Sequence, residues 1–171
     1  MSDSPAPAPA AAPEAPSRQV LIQKLYLKDA SLEVPQAPQV FAKAWQPQMD
    51  VNVNSNVSAL GNDQYQVLLS VTVTAKLGGE VAFLAEVHQA GIFLVRGFPT
   101  DAERAAVLAG YCPGLVFPFA REAIADLVQK GGFPQVLLQP INFEGLYVEH
   151  LNKLKAEQAA AAGEPAAARA H

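Results

Sequence analysis

The chain has one cysteine, Cys112, among its 171 residues. No disulfide can form within it, and a lone thiol fits a reducing compartment. Its three histidines, His88, His150 and His171, lie far apart, with neither a cysteine pair nor an HExxH sequence, so the spacing of a metal site is missing. There is no GxSxG and no phosphate-cradling glycine loop, because the glycines stand singly or in pairs at turns. Basic residues are few: 12 Lys and Arg against 16 Asp and Glu leave a formal charge of -4, without the clustered cations a nucleic-acid binder needs. No apolar run approaches the roughly 20 residues of a membrane span, and Met1-Ser2-Asp3-Ser4-Pro5 has neither the basic nor the apolar part of a signal peptide. The expectation is a soluble cytoplasmic protein with no metal, cofactor, catalytic residue, nucleic-acid partner or membrane insertion.

What the chain does have is apolar content of 50%, enough for one good core. Residues 1–17 are almost entirely Ala, Pro and Ser and residues 156–171 mostly Ala, so both are expected as mobile tails around a single domain over 18–155. The organising stretch is 64–77. Tyr65, Val67, Leu69, Val71, Val73, Ala75 and Leu77 alternate with Gln64, Gln66, Ser70, Thr72, Thr74 and Lys76, broken only by Leu68. That period of two predicts a strand with one buried and one largely wet face.

Before it, Ala30, Leu32 and Val34 alternate with Asp29, Ser31 and Glu33, and Met49 to Ala59 alternate in the same way. After it, Gly78-Gly79 signals a hairpin into a strand with Val81, Phe83, Ala85 and Val87 inside and Glu80, Ala82, Leu84, Glu86 and His88 outside. Strands first and helices second predict an α+β fold, a four-stranded antiparallel sheet in meander order with helices packed on one face. Thr100-x-x-Glu103 is a capping box opening a short helix to about Cys112. Ala102, Ala105, Ala106 and Ala109 form one side of that helix, and Val107, Leu108 and Tyr111 form another. A short helix apolar on two sides needs two covers, which points to an oligomer. Pro113-Gly114 is expected to break the chain before a helix over 115–130, and Asn142 to cap a last helix bearing Phe143, Leu146, Tyr147, Leu151 and Leu154.

Two features leave alternatives open. Asp29, Glu33 and Glu86 with Leu84 among them read either as a solvated sheet face or as a docking surface. Val40, Phe41 and Trp45, in the proline-punctuated loop 35–47, read either as a plug in the core or as a groove for extended apolar peptide. Cys112 reads as a buried structural thiol, and His150 as a histidine at a packing boundary.

A family resemblance rests on Leu25-Tyr26-x-Lys28-Asp29 with Glu33 and Pro35, Ala37-Pro38-x-Val40-Phe41 and Trp45-Gln46-Pro47. It continues through Val71-Thr72-Val73-Thr74-Ala75, Ala82-Phe83-Leu84-x-Glu86-Val87, Gly91-Ile92-Phe93 and Gly110-Tyr111-Cys112-Pro113, and ends with Leu115-x-Phe117-Pro118-x-Ala120-Arg121-Glu122, Phe133-Pro134-Gln135 and Asn142-Phe143. Over about 23–151 the chain resembles the SecB family of bacterial protein-export chaperones. The resemblance implies a cytosolic holdase that keeps unfolded secretory preproteins translocation-competent and passes them to the export ATPase SecA. It implies SecA docking through Asp29, Glu33, Leu84 and Glu86, and client peptide contacts at Val40, Phe41 and Trp45. It also implies a homotetramer, a dimer of dimers whose protomers pair edge to edge and whose dimers stack through the first helix, with Ala102, Ala105, Ala106, Val107, Leu108, Ala109 and Tyr111 at the interface. The Ala-rich C-terminal stretch with Arg169 departs from the acidic tails common in the family. A rival from another class is a hot-dog-type acyl thioesterase, which needs a carboxylate facing an acyl tunnel and a central helix early among the strands.

Overall fold

The structure, a computed structural model, describes residues 17–162. Strands β1 (Gln19–Glu33), β2 (Gln48–Gly61), β3 (Gln64–Leu77) and β4 (Glu80–Arg96) are followed by helices α1 (Asp101–Ala106), α2 (Cys112–Lys130) and α3 (Phe143–Ala162). The expected tails at 1–16 and 163–171 lie outside the described residues, whereas 156–162 continue α3 past the expected end of the domain.

All four strands form one antiparallel sheet, but in the order β1-β4-β3-β2. Only β2, β3 and β4 form the expected meander. From β1 the chain crosses to the far edge through residues 34–47, then returns strand by strand until β4 pairs with β1, from Gln19 opposite Arg96 to Glu33 opposite Leu84. Three strand spacings are about 14 Å, an easy reach for that loop. The physical reason is neighbour choice: the prolines at 35, 38 and 47 prevent a tight hairpin, so β1 is free to pair with whichever strand presents an open edge.

On β3, Val67, Leu69, Val71, Val73 and Ala75 are all 0% exposed, while Ser70, Thr72 and Thr74 on the other face are half-buried between two neighbouring strands. Leu68 shares that outer face, in one row with Ala90 and Tyr26. The inner face is covered by α2, whose Val116, Ala120, Ile124 and Val128 are fully buried against it.

Thr100 Oγ1 accepts from the Glu103 N–H at 3.2 Å and opens α1, while the Glu103 carboxylate turns to Arg18 at 2.9 Å. The expected break at Pro113-Gly114 does not occur. Val107–Tyr111 form a π-helical turn in which the Cys112 N–H reaches back to the Val107 carbonyl, and the helix then runs on through Pro113 and Pro118. A proline ring collides with the carbonyl four residues earlier, and the wider turn relieves that crowding ahead of Pro113. A side chain at Gly110, in the same turn, would stand 3.3 Å from the Glu144 backbone, so glycine lets α3 rest there. Asn142 Oδ1 accepts from the Gly145 N–H at 2.9 Å, the expected cap of α3. On α3 Phe143 is buried, whereas Leu146 and Leu154 are 51% and 39% exposed; His150 is exposed and lines the groove between α3 and β2 with Tyr147 and Val57.

Ile124 is at the centre of the helix–sheet contact. Ile124→Ala should lower the free energy of unfolding by about 2–5 kcal/mol, visible as an earlier urea midpoint at fixed protein concentration with an unchanged slope.

Candidate functional site

Directly opposed residues in an antiparallel pair share a face. On the outer face, register sets Glu33 beside Leu84 and Thr74, Ser31 beside Glu86 and Thr72, and Asp29 beside His88 and Ser70. Asp29, Glu33, Leu84 and Glu86 are therefore brought together in three successive rows, on a face no described helix covers. Asp29 and Glu33 are exposed and Leu84 and Glu86 half-buried, so Leu84 is a half-covered apolar floor rather than a freely exposed side chain. Asp29 Oδ1 also accepts from the Ala30 N–H at 3.0 Å, which fixes its direction. His88 Nε2 stands 2.7 Å from Glu86 Oε1, a contact that sequence reasoning missed although it had both residues on this face.

At one end of the inner face lies the second surface. The loop 34–47 is anchored by Val40, which is 3% exposed and belongs to the core. Val40 is thus on the plug side of the two readings. Phe41, 52% exposed, and Trp45, half-buried, remain open to solvent. Trp45 stacks on Phe83 with centroids 6.3 Å apart and tilts against Phe133 at 5.2 Å; Phe41 also meets Phe133 at 5.2 Å. Phe133 is delivered by the end of α2: Gly132 adopts φ +84°, and the Phe133 N–H returns to the Val128 carbonyl at 3.2 Å. This helix stop habitually places an apolar residue just after the glycine, the signal in Gly131-Gly132-Phe133 that could have added Phe133 to the site. The loop is tied across its mouth by Lys43 Nζ, which donates to Gln36 Oε1 and Glu80 Oε2, both at 2.9 Å.

Of the expected interface residues, Leu108 is buried in the protomer's own core, Ala105, Val107 and Ala109 are half-buried, and Ala102, Ala106 and Tyr111 are exposed. The π turn changes the helical phase after Ala106, so the two apolar sides do not continue along one helix. Cys112 is 0% exposed, and burial pushes its thiol pKa up to about 12. Among the described residues no group of three or more His, Cys, Asp and Glu is placed to hold a metal ion, and no helix is long and apolar enough to cross a membrane.

A four-stranded antiparallel sheet, bare on one face and covered by helices on the other, defines an α+β protein. The chain matches the family Preprotein translocase subunit SecB over residues 13–154. It is 51% identical to the protein-export protein SecB of Thioalkalivibrio sulfidiphilus over 162 residues, covering 94% of this chain and 95% of that one. It is 50% identical to the protein of the same name from Psychrobacter arcticus, covering 81% of this chain and 93% of that one. Its fold is similar to a SecB-like chaperone of Mycobacterium tuberculosis solved in complex with a ChAD peptide from the HigA1 antitoxin. There the TM-score is 0.60 at 20% identity, over 71% of this chain and 90% of that one. The chain belongs to the SecB family of protein-export chaperones.

The state of Cys112 is directly measurable. With a thiol pKa near 12, almost no thiolate exists at about pH 8, and thiolate is the reactive form. Iodoacetamide should leave folded protein essentially unlabelled under conditions in which the denatured chain is labelled to completion.

Proposed function

We propose that the protein holds unfolded secretory precursors in the cytoplasm and delivers them to SecA, with its two bare surfaces divided between these tasks. The observation that carries this reading is the placement of Asp29, Glu33, Leu84 and Glu86 on one uncovered face, in a member of the SecB family. Three carboxylates around an apolar floor suit a basic segment of SecA carrying an apolar side chain. Clients lie against Phe41 and Trp45, with Val40 anchoring the loop from inside. Each contact is weak, and repetition around an oligomer supplies avidity. Release comes from SecA competing for the client.

Assembly as a dimer of dimers fits the apolar groups the protomer leaves bare. On the inner face of edge strand β1, Ile22 and Leu27 are 47% and 51% exposed, and pairing of two β1 edges would give them cover. The segment from Thr100 to Cys112 offers Ala102, Ala106 and Tyr111 to the second contact. The acyl-thioesterase alternative has no support: among the described residues every α-helix follows the four strands, and Asp29, Glu33 and Glu86 stand on the bare face of the sheet.

Glu86→Lys should lower SecA affinity at least tenfold while the protein still binds an unfolded client; a folded variant with full SecA affinity at physiological salt would refute the docking assignment. For the aromatic surface, Trp45 emission should shift to the blue on addition of an unfolded precursor fragment. Trp45→Ala should weaken short peptides strongly and long chains little, since several equivalent sites share a long client. Unchanged short-peptide affinity in that variant would remove Trp45 from the site.

A further inference from the structure

On the outer face, Glu86 carries more than its own charge. The His88 ring is two residues along the same strand, its Nε2 2.7 Å from Glu86 Oε1, with side chains 29% and 41% exposed respectively. Across the strand pair on one side His88 faces Asp29, and on the other it faces Ser70. The charged groups around it are unbalanced. On β1 there are Asp29, Glu33 and Lys28, the last being the unpaired residue of the bulge between Leu27 and Asp29. On β4 there is Glu86 itself; β3 offers Ser70, Thr72 and Thr74, with Lys76 at its far end, and β2 places Asp50 opposite Thr74.

We infer that His88 is a positioning residue of this docking face, aiming the Glu86 carboxylate while neutral and cancelling its charge when protonated, so that capture of a basic partner segment is graded by pH. The inference rests on the docking reading above and names its regulation. With a neutral ring, the Nε2 proton is donated to Glu86 Oε1, which loses one rotational freedom and keeps its full negative charge. Asp29, Glu33 and Glu86 then present three negative charges to the partner. A protonated ring at the same distance forms an ion pair, and the four groups together present two. Histidine is the side chain whose charge ordinarily changes between pH 5 and 8, whereas exposed Asp and Glu stay ionised there. An attraction built on screened surface charges scales with the number of charges presented.

The sign follows: docking is tighter above the ionisation of the ring and weaker below it. An exposed charge pair is worth about 1.5- to 5-fold in affinity, so the shift is modest and needs an internal reference. SecA binding by the full chain should be measured at low ionic strength at about pH 7.5 and about pH 5.8 for wild type, His88→Gln and His88→Lys. The His88→Gln protein reports every other titration, including those of SecA. Wild type should lose about 1.5- to fivefold more affinity than His88→Gln between the two conditions, and His88→Lys should bind as weakly at the higher pH as wild type does at the lower. Thermal melts at both pH values establish that each variant is folded. Parallel losses in wild type and His88→Gln overturn the role of His88 while leaving the docking face intact. Absence of SecA binding by wild type at either pH overturns the docking reading itself, and this inference with it.

Discussion

One helix covers a sheet twice its width. With side chains α2 is about 10–12 Å across, and strands repeat at about 4.8 Å, so its apolar side spans about two strands of the four. It lies on β4 and β3, and there the burial is complete: Phe83, Ala85 and Val87 on one strand and Val71, Val73 and Ala75 on the other are 0% exposed. The edge strands get what remains. Ile22 and Leu27 on β1, and Met49 and Val51 on β2, at 40% and 44% exposure, face the helix side without cover. Two apolar margins of the inner face follow from that shortfall, and the outer face, on the side away from α2, has no helix over it at all.

The parts of the fold legible in the sequence were those decided by neighbours along the chain. Alternation on 64–77 placed β3 and its inner side chains, Gly78-Gly79 placed the hairpin, and Thr100 and Asn142 placed two helix starts. What could not be read was decided across space. Whether β1 lies beside β2 or β4 is a choice between open edges, and no local pattern records it. The expected break at Pro113 failed because the wide π turn at 107–111 gives its ring room and places it in the first turn of α2, where a proline is tolerated. Alanine, poor in core contacts, is the best helix former, and α3 runs on through 156–162, where composition alone suggested a tail.

The same division holds for the site. Period-two arithmetic put Asp29, Glu33, Leu84 and Glu86 on the outer face, and the family resemblance named them together as a docking set. Only the register, Glu33 against Leu84 and Asp29 against His88, makes them one patch. In the loop, composition flagged Val40, Phe41 and Trp45 together, yet a 3% exposed valine and a 52% exposed phenylalanine have opposite duties. Sequence separates them poorly because adjacent residues of a short 3-10 turn point in different directions.

The loop that carries Phe41 is fastened twice, by unlike means. Inside, Val40 is seated among apolar side chains, a contact indifferent to salt. Outside, Lys43 bridges Gln36 and Glu80 in full solvent, and its hydrogen bond, with Gln36 beside it, holds the Glu80 carboxyl below its usual pKa. That outer fastening is present above the ordinary carboxylate range and is lost as pH falls through the lowered value; salt loosens it too. The two fastenings therefore answer to different conditions: acid or salt releases the outer one, while the inner one, made of buried apolar contact, stays seated on the sheet.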